Sequence, residues 1–434
     1  MMTFEQIAEG ITQRMAGLDE PQEFVYGKTR IPLNVPTYGA PEVIEALESL
    51  MSTWVTMGKK VKTFEARFAE YIGREHAVMV NSGSSANLLA LTCIYDLQPG
   101  DEIITPALTW ATTVFPIAQV GAVPVLVDVE RDSYNISPDA IRAAITPRTR
   151  AIMPVHLLGN PCNMSAITEI ALVNHHDIYL IEDCCEAHGA EYHGKKVGSF
   201  GDAATFSFFF SHHISTIEGG MLLTNNSIWN DQWRSMRAHG WIRDMSTKDA
   251  IAAANPDIDP RFMFAYPGYN FRPTEIQGAF GIHQLPRLEG LIEIRRANAA
   301  YFNEALAPYQ EWLMLPSEAP GTRHAHFAYP LTVLEGAPFT KKELSQFLEA
   351  KGLETRQIEA GNMAQQPAMR MVNYRAGPLP NAEYIHRNSF FFGNHHGIGE
   401  VERKAIVSYF DEFFRGMFAR VAYSSVYDKE RGIA

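Results

Sequence analysis

Three short stretches concentrate groups capable of acid–base and anion chemistry. Ser207-Phe-Phe-Phe-Ser-His-His-Ile-Ser-Thr-Ile-Glu-Gly-Gly220 sets His212 and His213 among the hydroxyls of Ser207, Ser211, Ser215 and Thr216. Gly219 and Gly220 let backbone come close to a ligand there. A joint this polar between apolar runs fits a bound ligand, or else a hairpin with two solvated histidines. Asn81-Ser-Gly-Ser-Ser-Ala-Asn-Leu-Leu-Ala90 opens a helix with small residues. Its free amide donors suit an anion, although the same turn serves as a plain helix cap. Glu182-Asp-Cys-Cys-Glu-Ala-His-Gly-Ala190 ends an apolar strand. That end of a parallel strand is where ligands bind in open α/β sheets, and Asp183 could equally cap the next helix.

The elements that must position these groups alternate along the chain. Apolar runs occur at Ala77–Val80, Glu102–Thr105, Val123–Val129, Ala151–Leu157, Ile178–Ile181, Ala203–Phe210 and Met221–Thr224. Helical patterns at Ser85–Tyr95, Trp110–Val120, Pro138–Ala144 and Met164–His175 lie between most of them. Short apolar runs flanked by helices predict a buried, mostly parallel sheet of an α/β protein. Before it, Thr3–Met15 predicts a helical flap, Arg30–Pro36 an extended linker, and Pro41–Thr53 and Phe64–Ile72 two helices. Ile228–Tyr266 reads as a helix followed by a surface excursion, and Thr274–Ala307 as a helical bridge. Ala325–Thr332, Lys341–Lys351 and Glu400–Ala419 suggest a smaller α+β unit. The expected boundaries are residues 1–36 for the N-terminal helix and linker, 37–285 for the large domain and 286–434 for the small one.

Composition narrows the function. The chain has 434 residues, 46% hydrophobic and 20% charged, as expected of a globular protein with a substantial core. A net charge of -12 argues against non-specific nucleic-acid binding and anionic membranes. Cys93, Cys162, Cys184 and Cys185 form no CxxC pair and are expected as buried free thiols. With no leader pattern and no membrane-length apolar run, a cytoplasmic location is the default expectation. Adjacent histidines recur at 175–176, 212–213 and 395–396, but neighbours on an extended segment point to opposite faces, so metal is not the primary reading.

The histidine loop resembles the cofactor-lysine loop, Ser-Phe-x-x-x-Lys-x-x-x-x-x-x-Gly-Gly, of the DegT/DnrJ-type sugar aminotransferases (fold type I). His212 stands at the lysine position. That departure is similar to the lysine-lacking branch, the nucleotide-sugar 3-dehydratases, whose loop also carries a His-His pair. Glu186 agrees, because that branch has an acid where most aminotransferases of the family have Gln. So does Thr355-Arg-Gln-Ile-Glu-Ala-Gly-Asn-Met-Ala-Gln-Gln-Pro367, which matches the dehydratases' Thr-Arg…Gly-Asn…Gln-Pro pattern. The resemblance runs from about Arg30 to Phe414 with its motifs in order.

The resemblance implies an aspartate-aminotransferase-like three-layer sandwich, with a mostly parallel seven-stranded sheet and a smaller α+β C-terminal domain. It implies pyridoxal or pyridoxamine 5′-phosphate, held non-covalently because the lysine is missing. Ser84, Ser85 and Ser207 would hold the phosphate, Asp183 would pair with the pyridine nitrogen, and Trp110 would stack on the ring. Glu186 is a further cofactor contact. Asn270, in Gly268-Tyr-Asn-Phe-Arg, would reach the partner's cofactor phosphate in a homodimer with shared sites. Trp110 could also be core, His156 a satisfied structural histidine instead of a substrate contact, and Arg356 a surface salt-bridge residue instead of an anion ligand. Iron–sulfur relatives of this branch carry cysteines downstream of the loop; none follows Cys185 here, so no such cluster is expected. The implied activity is loss of the C3 hydroxyl from a nucleotide-linked 4-keto-6-deoxyhexose, as in lipopolysaccharide deoxysugar synthesis. His212 would act as base, His213 would orient it or protonate the leaving group, and glutamate would restore the amine. The alternatives are an aminotransferase that tolerates histidine and a non-catalytic member of the fold.

Overall fold

The computed structural model describes residues 2–17, 23–173 and 178–430, with side chains described up to residue 419. The His175-His176 pair lies outside the described residues. Near the N-terminus come α1 (Phe4–Ala16), α2 (Ala40–Met51) and α3 (Lys59–Ile72), the last stopped by Gly73 in the left-handed conformation. The strands β1 (His76–Val80), β2 (Glu102–Pro106), β3 (Val123–Val127), β4 (Thr149–Ile152) and β5 (Tyr179–Asp183) follow. Between them, α4 (Gly83–Thr92) succeeds β1 and α5 (Ala111–Gln119) succeeds β2. A small hairpin of β6 (Glu191–Tyr192) and β7 (Lys195–Lys196) precedes β8 (Ala203–Ser207) and β9 (Gly220–Thr224).

The later strands are β10 (Leu313–Met314), β11 (Thr322–Arg323), β12 (Ala328–Val333), β13 (Thr355–Gln357), β14 (Arg375–Ala376) and β15 (Ser389–Gly393). The large sheet has the order β1-β9-β8-β5-β4-β2-β3-β14. All its pairings are parallel except those of β9, which runs antiparallel to both β1 and β8. Seven strands were expected and eight are present. The addition, β14, comes from the C-terminal part of the chain and pairs with β3. Two residues carry no hydrophobic period, so it is invisible in the sequence.

Both faces of the sheet are covered because successive side chains alternate. Ala77 and Met79 of β1 pack with Phe64 and Phe68 of α3, whereas Val78 and Val80 pack with Leu89 of α4 and with Trp233. Ile104, Val125 and Ile152 meet Ile141, Ile167 and Ile170. The result is a helix–sheet–helix sandwich. A second core joins Leu331, Phe390 and Phe392 of the four-stranded sheet β10-β12-β15-β13 to Phe302, Leu344, Phe410 and Phe414. The helical bridge is two helices, Glu275–Gln284 and Leu288–Leu306, joined by a short turn around Pro286. No helix among the described residues is long and apolar enough to cross a membrane.

Candidate active site

The parallel strands deliver three loops to one edge of the sheet: the turn after β2, the Asp183 segment after β5 and the histidine loop after β8. The turn after β1 emerges at the same edge, because β9 runs antiparallel to both β1 and β8 and leaves those two strands pointing the same way. Ser82 is the N-cap of α4, its hydroxyl oxygen accepting from Ser85 N–H at 3.1 Å while its own O–H donates to Ser85 Oγ at 3.0 Å. Ser84 is exposed and Ser85 half-buried. A Cβ built on Gly83 would lie 2.5 Å from Ser207 Cβ. The helix N-terminus and Ser207 thus form one cradle that a side chain at Gly83 would fill, and its amide donors suit a phosphate.

Asp183 is buried. Its Oδ2 accepts from Asn87 Nδ2 at 3.0 Å and from Thr113 Oγ1 at 2.9 Å, and its Oδ1 from Cys185 N–H at 3.1 Å. Asn87 lies on α4 and accepts in turn from Thr205 of β8 at 2.6 Å. A carboxylate fixed this way is oriented to face a cationic ring nitrogen. Trp110 stands at the N-cap of α5, 55% exposed, three residues before Thr113. It is a surface aromatic at the site edge, not core.

His212 is half-buried, and its Nδ1 is shielded from solvent without a hydrogen-bond partner. Burial and the nearby Arg295 guanidinium bring its pKa down to about 3, so the ring is a free base at neutral pH. His213 is wholly buried, and its Nε2 lies 3.0 Å from the carbonyl of Ala325. It therefore turns away from the loop surface. His188 completes the cluster, its ring 6.0 Å from that of His212 and 5.6 Å from that of His213. Arg295 is itself buried and donates to the carbonyls of Phe327 and Asn394.

The Oε2 of Glu186 accepts from Leu158 N–H at 2.8 Å; burial first, and then the negative charge of Glu359, push its carboxyl well above the ordinary range. The Glu359 segment is tied to the turn after β2, since Met363 N–H donates to Ala107 O at 2.8 Å and Leu108 bridges Asn362.

A model of the DegT/DnrJ/EryC1/StrS aminotransferase family matches residues 37–410. The chain belongs to this family. It is 39% identical over 376 residues to GDP-4-keto-6-deoxy-D-mannose 3-dehydratase of Yersinia pseudotuberculosis, covering 84% of this chain and 94% of that protein. It is 35% identical over 414 residues to dTDP-4-dehydro-2,6-dideoxy-D-glucose 3-dehydratase of Saccharopolyspora spinosa, covering 91% and 88%. Among solved structures, GDP-4-keto-6-deoxymannose-3-dehydratase with a trapped PLP-glutamate geminal diamine superposes with a TM-score of 0.81. The identity there is 35%, over 86% of this chain and 99% of that one.

Within this DegT-family fold the two expected substrate contacts, His156 and Arg356, differ in exposure. His156 is fully buried, with Nδ1 accepting from Cys162 N–H at 3.0 Å and Nε2 lying 3.2 Å from Glu182. Its backbone N–H donates to Asp183 O at 3.1 Å, so the buried ring lies against the end of the Asp183 strand. Glu182 also accepts from the N–H groups of Gly198, Phe200 and Gly201. Burial pushes its pKa up, but the His156 hydrogen bond and these backbone donors outweigh that and hold it low. His156, Glu182 and Cys184 are the one triad of possible metal ligands that converges among the described residues, within 4.8 Å. Those hydrogen bonds already occupy it. Arg356 is exposed on β13, where its charge reaches Glu359. Asn270 is exposed too, accepting from Arg272 Nε at 3.0 Å, and its segment is tied to the turn after β1 by Asn81 N–H donating to Phe271 O.

Sequence reasoning missed Ser82, Asn87, Thr113, His188, Arg295 and Glu359. Asn87 had a signal, since asparagine is a poor helix former yet sits inside a helix pattern. A groove lined by α2, α3 and residues such as Arg234 and Arg243 lies elsewhere.

Proposed function

We propose that the chain removes the C3 hydroxyl of a nucleotide-linked 4-keto-6-deoxyhexose, using non-covalent pyridoxal phosphate that glutamate returns to its amine form. The observation that carries this reading is His212, a shielded free-base imidazole in the position where the family has its cofactor lysine. The similarity to two sugar 3-dehydratases, and to a solved one holding a PLP-glutamate adduct, supports it. The residues present fit the cofactor: a cradle at Gly83 and Ser207 for a phosphate, and a fixed carboxylate at Asp183 for a ring nitrogen.

When bound, the cofactor supplies an electron sink at the carbon next to the departing hydroxyl. The α4 N-terminus with Ser84, Ser85 and Ser207 would hold the phosphate. Asp183 would pair with the ring nitrogen, with Asn87 and Thr113 orienting that carboxylate. Trp110 would cover the ring, and Glu186 would contact it. His212 would take the proton from the cofactor C4′ carbon and return it in the glutamate half-cycle. His213, turned away, would orient the loop by its Ala325 bond. Arg356 would attract the substrate diphosphate or a glutamate carboxylate. Asn270 would complete a second subunit's phosphate site, so the assembly is read as a homodimer.

The test is an absorbance spectrum with pyridoxal phosphate before and after glutamate. A free-aldehyde band that shifts to the amine form, and that borohydride does not fix to protein, is expected. A borohydride-fixed adduct would move the assignment to an aminotransferase using another lysine. No cofactor band would mean a non-catalytic protein.

A further inference from the structure

A base works only if its ring is held in one orientation, and Nδ1 of His212 is shielded without a hydrogen-bond partner to hold it. The terminal torsion of histidine is broad, so such a ring takes its orientation from what packs on it. Three rings do so: Phe327 at 5.6 Å between ring centres, His188 at 6.0 Å and Phe209 at 6.4 Å. Phe209 is exposed and belongs to the same loop. Phe327 comes from the distant segment that leads into β12, and it touches the His213 ring as well, at 5.9 Å.

We infer that the strap His324–Phe327 positions the base: Phe327 sets the plane of the His212 ring while the Ala325 carbonyl anchors the adjacent His213. Phe327 is thus a positioning residue that acts through His212. At the second grip, Nε2 of His213 lies 3.0 Å from Ala325 O, and a carbonyl only accepts, so Nε2 carries the proton there.

The strap is itself fixed along its length. Ala325 N–H donates to Gly159 O and Phe327 N–H to Leu158 O, each at 2.9 Å. Arg295 donates to Phe327 O at 2.7 Å, Arg296 to His324 O at 2.9 Å and Asn394 Nδ2 to His326 O at 3.3 Å. His326 forms a kink at φ 47°, its N–H donating to His324 Nδ1 at 2.8 Å and the two imidazoles stacking 3.8 Å apart. Left-handed backbone is unfavourable for a non-glycine residue and persists where the surroundings over-determine it. Gly159 faces the kink at φ 85°, and a Cβ built there would come within 3.1 Å of both His326 N and Glu186 O. A glycine is required for the strap to lie so close to the Glu186 segment. Arg295, which holds the strap at Phe327 O, is also the cation that favours the neutral form of His212.

The inference rests on His212 being the base of the dehydratase reading. Imidazole NMR of the cofactor-free protein tests the grip without turnover, the His212 signals being those lost in His212→Asn. Wild type and Phe327→Tyr should each give one sharp His212 set, and Phe327→Leu a broadened or doubled one with pyridoxal phosphate affinity unchanged. In single turnovers Phe327→Leu should slow both half-reactions by about 10²-fold, since both use His212, and Phe327→Tyr should recover most of the rate. In steady state the loss should fall on kcat, with KM for sugar and glutamate nearly unchanged. Phe327→Met serves in the same way where the leucine variant does not fold. A His212 set as sharp in Phe327→Leu as in the wild type, a mobile ring with undiminished rates, or slowing confined to one half-reaction would each overturn the inference. A wild type that carries out neither half-reaction, its His212 set still sensitive to Phe327→Leu, sinks the base reading and the positioning role with it.

Discussion

Asn87 donates to Asp183 at 3.0 Å from the helix whose N-terminus faces Ser207. One rigid element therefore sets both the anion cradle and the carboxylate, and fixes the span between them.

Removing either partner should therefore act on cofactor binding before anything else. Asp183→Asn should reduce turnover by about 10²-fold or more through loss of charge at the ring nitrogen. Asn87→Ala, which strips a donor from a buried carboxylate, should weaken cofactor affinity by about 10- to 100-fold. Fluorescence titration with pyridoxal phosphate and single-turnover kinetics check both.

Gly83→Ala places a methyl against Ser207, and backbone on one side must shift. A loss of about 1–3 kcal/mol in stability is expected, with a larger loss of affinity for the phosphorylated cofactor than for its dephosphorylated aldehyde. Denaturant melts and competition binding distinguish the two effects.

Glu65 joins Arg237 at 2.6 Å and Arg234 at 3.1 Å, and accepts from Met79 N–H at 2.9 Å, just before the turn after β1. Burial alone would push its pKa up, but the two guanidinium groups and the amide hold it below the usual value. Its contribution is present above the unfolded carboxylate pKa and is lost as pH falls through the lower folded one. Glu65→Gln leaves Arg237 buried and unpaired, which should destabilise by about 3–5 kcal/mol at neutral pH. Denaturant midpoints as a function of pH measure both statements.

Acid should begin to destabilise the protein before its carboxylates titrate. His188, His212, His213, His324, His326 and His395 are all lowered, in each case by burial first. The unfolded chain binds protons at these rings below about pH 6.5, while the folded chain does not, so stability falls from that point downward. Thermal melts should show the decline starting near pH 6.5. NMR signals of these six imidazoles in the ligand-free protein should stay in the neutral form down to about pH 5. An early protonation of His212 would sink the free-base assignment.

Most of the fold was legible because parallel strands bury both faces and read as continuous apolar runs. Each of the seven runs corresponds to a strand, and the histidine loop joins β8 to β9. The two-residue β14 escaped, since its pairing with β3 arises from chain folded back after some 250 residues of separation.

The sequence by itself determined the chemical cast: histidine for lysine at 212, acids at 183 and 186, and a small-residue turn before a helix. Their identity and spacing are local properties, written in consecutive residues. Tertiary structure decided which of them share a site. It turned His213 toward Ala325, buried His156 under Glu182, and set Glu359 against Glu186 across 173 positions of chain. Side-chain direction, desolvation and the field of a buried cation such as Arg295 depend on groups far apart in sequence, and folding alone brings them into contact.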